Sequence, residues 1–184
     1  MRKTSNEELN RLSVSEFKQA GKAPLVIVLD NVRSLHNVGS VFRTADAFRV
    51  QALYLCGITG QPPDREIRKT ALGATESVEW KYFASTNLAI EQLRLEGFRI
   101  CSVEQAEQAV MLDKFHASAG EKLALVFGNE VKGVEQSIVD ASDVVIEIPQ
   151  QGTKHSLNIA VSVGVLVWDI TCKQNAGKSQ IQGL

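Results

Sequence analysis

The clearest feature along the chain is the apolar run Leu25-Val26-Ile27-Val28-Leu29, opened by Pro24 and closed by Asp30. A β-branched run without polar alternation predicts a strand buried on both faces, as in a parallel sheet. Ala52–Cys56 and Leu123–Phe127 repeat the pattern, and Val78–Phe83, Phe98–Val103 and Val144–Ile148 predict further strands. Between them the apolar spacing changes. Val38, Val41, Phe42, Ala45 and Phe48 recur at helical intervals, with Asn37 placed as a cap. Leu88–Leu95 and Val134–Ala141 predict shorter helices, and Leu9, Leu12 and Phe17 suggest a polar helix over Asn6–Gln19. Gly57, Gly60, Pro62 and Pro63 predict a loop after the second strand.

Ser156–Cys172 predicts a long helix that is apolar on nearly every face. Such a helix is buried on several sides, and in a domain this small a second subunit accounts for the extra cover. Alternating strands and helices define an α/β fold, a mostly parallel sheet with helices on both faces. The expected organisation is a helical extension over 1–23, one domain over 24–172 and a flexible polar tail over 173–184.

Composition narrows the partners. With 184 residues and a net charge of −1 the chain carries no basic tail, so an RNA partner needs a local basic patch. Cys56, Cys101 and Cys172 lie far apart without a CxxC pair, which argues against a disulfide framework or a zinc site and suits a reducing compartment. Met1–Leu9 is polar, without the features of a secretory signal, and no apolar stretch is long enough to span a bilayer. These features predict a soluble cytoplasmic protein with no membrane or metal partner.

Ligands of parallel α/β sheets sit beyond the carboxyl ends of the strands, and three segments there carry chemistry. The first, Asn37-Val38-Gly39-Ser40-Val41-Phe42-Arg43-Thr44-Ala45, lacks the GxGxxG fingerprint but offers a carboxamide and a guanidinium. Taken alone, Asn37 reads as a helix cap and Arg43 as a surface charge. The second, Gly128-Asn129-Glu130-Val131-Lys132-Gly133, sets a carboxylate between two glycines directly after a strand. A glycine-assisted turn and a close approach to a ligand explain it equally well. The third, Ile148-Pro149-Gln150-Gln151-Gly152-Thr153-Lys154-His155-Ser156-Leu157-Asn158, leads into the apolar helix. Ser156 reads as an N-cap, whereas Asn158, two residues inside an apolar helix, needs polar partners.

In this order the three segments resemble the motifs of the SpoU (TrmH-like) family of RNA 2′-O-methyltransferases, within the SPOUT superfamily. They match its N-x-G-x-x-x-R-T-A, G-N-E-x-x-G and I-P-x-x-G-x-x-x-S-L-N patterns, with Gln150 where methionine is frequent. Lys69-Thr70-Ala71-Leu72-Gly73-Ala74 is similar to a further stretch common in the family. The resemblance implies a C-terminal trefoil knot, a homodimer and S-adenosyl-L-methionine as cofactor, held at Val103, Gly128, Ile148 and Leu157. It implies a catalytic Arg43, with Asn37, Glu130, Ser156 and Asn158 around it, and methylation of a ribose 2′-hydroxyl in RNA. Transfer RNA is favoured; ribosomal RNA, or a non-catalytic RNA-binding protein retaining the knot, is the alternative. Arg33, Arg65, Arg68, Lys69, Lys132 and Lys154 form the expected basic patch.

Overall fold

The computed structural model of the chain describes residues 1–5 and 7–181. A seven-stranded sheet forms its centre, built from β1 (Ala23–Asp30), β2 (Val50–Cys56), β3 (Trp80–Phe83), β4 (Arg99–Val103), β5 (Val110–Met111), β6 (Leu123–Phe127) and β7 (Val144–Glu147). The strand order is β3-β2-β1-β6-β4-β7-β5, and every pairing is parallel. The direction of winding reverses between β1 and β6. The ends of β4, β6 and β7 form one rim.

Alternate strand residues feed two cores. Leu25, Ile27, Leu29 and Leu125 pack beneath α2 (Leu35–Ala47), α3 (Arg65–Ala71), α4 (Ala74–Ser77) and α7 (Ile159–Ile181). Val26, Val28, Ala124 and Val126 face α5 (Thr86–Leu95) and α6 (Gln136–Ala141). This two-sided burial is why the strand sequences do not alternate in polarity. Asp30, buried at the end of β1, accepts hydrogen bonds from the Thr86 hydroxyl (2.6 Å), the Asn31 amide group (2.9 Å) and the Glu135 N–H (3.0 Å). One carboxylate thus ties three loops of the rim together. Burial in the sheet pushes the Cys56 and Cys101 thiols up to about 12, so neither supplies a thiolate near neutral pH.

Several boundaries differ from the sequence expectation. The N-terminal helix resolves into a 3-10 turn at Glu7–Leu9 and α1 at Val14–Gln19, where Ser13 and Glu16 form a capping box and Phe17 is buried; Asn6 lies outside the described residues. The loop predicted after β2 contains α3 and α4, too short to show a hydrophobic period, since α3 buries only Ile67 and Ala71. Helix α2 starts at Leu35 with Ser34 as its cap, so Asn37 lies inside the first turn. Helix α7 begins at Ile159 and continues to Ile181, through most of the segment expected to be a tail; 182–184 lie outside the described residues. One face of α7 buries Val163, Leu166, Val167 and Ile170, while Val161, Val165 and Trp168 remain exposed.

Candidate functional site

At the rim of β4, β6 and β7 lies a cavity of about 560 Å³, lined by Val103, Gly128, Ile148 and Leu157 together with Glu130, Ser156 and Asn158. Seven of the nine residues singled out from the sequence therefore line one space. Asn37 joins it through hydrogen bonds. Arg43 does not.

The polar network at the cavity mouth starts from Glu130. Its carboxylate accepts from the Arg33 N–H (3.0 Å) and the Ser34 N–H (2.9 Å), just before α2, and from the Asn37 side-chain amide (3.3 Å). Partial burial would raise its pKa, but these donors together outweigh that effect and hold it below the usual carboxylate range. A carboxylate so occupied is a poor proton acceptor and a good anchor. The Asn37 side-chain oxygen Oδ1 in turn accepts from the Asn158 side-chain amide at 3.1 Å. The Asn158 carbonyl oxygen of the side chain caps α7 by accepting from the Ala160 N–H at 2.9 Å. Asn158 is thus at the helix start, not within the helix, and its polar partners are Asn37 and the α7 backbone. Ser156, expected as a cap, lies in the preceding loop and is exposed to the cavity.

The loop after β6 is folded back on itself. Asn129 and Gly133 exchange backbone hydrogen bonds of 2.9 Å, and the Asn129 side chain accepts from Val131 and Lys132 while donating to the Asn31 carbonyl (2.8 Å). A Cβ at Gly128 would overlap the Gly133 carbonyl and the Val134 nitrogen. Its glycine is required by this fold-back, in addition to any room left for a ligand. Gly133 has φ +70, and a Cβ there would overlap the Glu104 carboxylate.

Glu104 was not anticipated. It lines the cavity and accepts from the Val134 N–H (2.9 Å) and the Gln105 N–H (2.8 Å), joining the loops that follow β4 and β6. Gln105 donates to the His155 carbonyl at 2.5 Å, joining the third loop. A lone Glu-Gln pair after a strand carries no sequence signal of such a role.

Arg43 is exposed and lines a separate groove of about 900 Å³, between the N-terminal segment and the α3–α4 turn. Six residues separate it from Asn37, about 9 Å along α2 and about 120° around it. Of the expected basic patch, Lys132 lines the cavity and Lys69 is paired with Glu66 at 2.6 Å. Arg33, Arg65, Arg68 and Lys154 are exposed. Among the described residues no group of three or more His, Cys, Asp or Glu side chains is arranged to hold a metal ion.

The sequence profile of the SpoU rRNA Methylase family matches residues 24–168. The chain belongs to this family. An uncharacterized tRNA/rRNA methyltransferase of Borreliella burgdorferi is 30% identical over 173 residues, covering 94% of this chain and 74% of that protein. The 23S rRNA (guanosine-2′-O-)-methyltransferase RlmB of Neisseria meningitidis is 32% identical over 153 residues, covering 82% and 59%. The A. aeolicus TrmH/SpoU tRNA modifying enzyme superposes with a TM-score of 0.78 at 23% identity, covering 89% of this chain and 83% of that one. The SpoU methyltransferase AviRb of Streptomyces viridochromogenes, solved in complex with AdoMet, superposes with a TM-score of 0.76 at 19% identity, covering 88% and 65%. At these identities the superpositions show a shared SpoU fold.

Proposed function

We propose that this chain uses S-adenosyl-L-methionine to methylate a ribose 2′-hydroxyl in RNA, as a cytoplasmic homodimer whose active site takes residues from both protomers. The observation carrying this reading is the convergence of Val103, Gly128, Ile148 and Leu157 on one cavity. Its 560 Å³ suits a small-molecule ligand. Backbone groups of the three loops can read an adenine edge, while Val103, Ile148 and Leu157 supply apolar contact. When bound, the cofactor supplies an electrophilic methyl group on a sulfonium whose leaving group is a neutral thioether.

The chain's own residues have two tasks. Glu104, Glu130, Asn37 and Asn158 are positioning residues that hold the loops and the start of α2 in register. Arg43 meets the RNA. A guanidinium is a poor base, so its role is to stabilise negative charge developing on the 2′-oxygen, whose proton passes to solvent as the methyl group arrives, and to hold a neighbouring phosphate. Arg43 lies outside the cavity of its own protomer, which supports its delivery to the cavity of the partner.

The exposed residues Val161, Val165 and Trp168 of α7, with Leu157 just before it, support that dimer, and Trp168 meets Phe48 at the end of α2 edge-on, with ring centroids 6.1 Å apart. Helix-to-helix contact across a two-fold axis would cover this stripe. Three contacts support a C-terminal knot: Gln105 to His155, Lys173 to the Leu112 carbonyl (2.5 Å) and Gln174 to the Glu121 carbonyl (2.8 Å). They join the chain between β4 and β6 to the segment leading into α7 and to α7 itself, the contacts a threaded C-terminus would make. Among the described residues no helix is long and apolar enough to cross a membrane.

We favour transfer RNA, because the helical segment beside Arg43 is small and suits one exposed nucleotide of a compact RNA. Ribosomal RNA is the second reading, favoured by the Neisseria relative. Incubation with methyl-labelled cofactor and total RNA, followed by nucleoside mapping, tests both. Label in a 2′-O-methyl nucleoside of tRNA is expected; label in a base, or none, overturns the reading.

A further inference from the structure

The groove that holds Arg43 also contains Arg11 and Arg49. Among the described residues none of these guanidiniums lies within ion-pair distance of a carboxylate, although Asp46 and Glu76 line the same groove. Asp46 instead accepts from the Ser77 hydroxyl at 2.5 Å. Three exposed arginines without partners suit an anionic ligand, since a guanidinium matches the paired oxygens of a phosphodiester.

The backbone around them is unusual. Arg49 has φ +50 and Leu72 has φ +49, conformations that glycine adopts freely and branched side chains rarely do. Leu72 caps α3 in this left-handed state, yet its side chain is 68% exposed. It therefore adds little to the core while occupying a position that favours glycine. It belongs to the Lys69–Ala74 stretch whose role the cavity leaves unexplained. Arg49 is fixed by its main chain, whose carbonyl accepts from the Ala23 N–H at 2.8 Å, so its side chain is free to bind. Arg11 precedes the Ser13 cap of α1, which Phe17 anchors in the core.

We infer that this groove seats an RNA nucleotide next to the reacting ribose, with Arg11 and Arg49 on phosphate oxygens and Leu72 against the face of an unstacked base. The inference rests on the RNA 2′-O-methylation reading above and adds its substrate subsite. Arg43 then stands between the seat and the partner's cavity. Unstacked single-stranded nucleotides are the form of RNA that such a mixed apolar and cationic groove can take.

The test titrates fluorescently labelled total tRNA into the full chain and into Arg11→Ala, Arg49→Ala and Leu72→Gly, at several salt concentrations. Affinity for S-adenosyl-L-methionine, measured by calorimetry, reports an intact cavity. Each arginine variant is expected to bind tRNA about 5–10-fold more weakly and to lower the slope of log affinity against log salt by about 0.7–0.9. Leu72→Gly is expected to weaken tRNA binding several-fold with an unchanged salt slope and a thermal midpoint equal to or above the parent's. Cofactor affinity should stay within about twofold throughout. Arginine variants with parental affinity and slope, in a chain that does methylate RNA, overturn the groove assignment alone. A parent chain that neither binds nor methylates RNA overturns both readings.

Discussion

The cavity and the groove are built on opposite plans. At the cavity, polar groups satisfy one another: Glu130 is filled by Arg33, Ser34 and Asn37, Glu104 by Val134 and Gln105, and Asn158 by Asn37 and the α7 backbone. In the groove, Arg11, Arg43 and Arg49 have no ionic partner among the described residues. A site that is already hydrogen-bonded is preorganised and offers shape and backbone edges. A site of unpaired cations waits for charge from outside. The contrast matches the proposed division into a cofactor-binding half and a substrate-binding half, and it can be broken from either side.

The largest effect is expected at the groove. Arg43→Ala should lower kcat by about 100-fold or more, the scale of losing one electrostatic donor, with cofactor affinity nearly unchanged by calorimetry. A near-normal rate would remove Arg43 from the chemistry. At the cavity, Glu104→Ala should weaken cofactor binding about 10-fold while the KM for RNA changes little, because it frees two cavity loops from each other. An equal loss for both ligands would show a general folding role instead.

Asn158→Ala removes the α7 cap and the link to Asn37. A stability loss of about 1 kcal/mol is expected from the cap, measured by denaturant unfolding. The smallest effect is in the acid limb of Glu130. Its native pKa lies below the usual range, so its contribution is complete above an unfolded value of about 4.3 and disappears as pH falls through the depressed native value. Stability of the parent chain and of Glu130→Gln should therefore differ at neutral pH and converge in acid. A difference independent of pH would mean that ionisation of Glu130 does not matter.

These predictions draw on features that were unequally legible in the sequence. Continuous apolar runs fixed the strands well, and β6 has the predicted bounds Leu123–Phe127. The motif segments were legible because each comes soon after a strand. Asn37 is not the cap because Ser34, three residues earlier and equally able to cap, starts the helix, and only the fold shows which helix turn comes first. Helices α3 and α4 were missed because a seven-residue and a four-residue helix bury too few apolar residues to set a period. Arg11 and Arg49 stand in polar sequence without pattern, and nothing along the chain reveals that they meet Arg43 in one groove. The distance between Arg43 and the cavity was equally hidden, since helix position alone does not say which sheet edge a residue serves.

The central claim is that the groove of one protomer completes the cavity of the other, and mixing inactive variants tests it most directly. Arg43→Ala keeps a cavity and lacks the arginine; Gly128→Val keeps the arginine and, through overlap with the Gly133 backbone, spoils the cavity. After subunit exchange, random pairing should make half the dimers mixed, each with one complete site, restoring about a quarter of parental activity. Mixed dimers that form but transfer no methyl group would contradict a site shared between protomers.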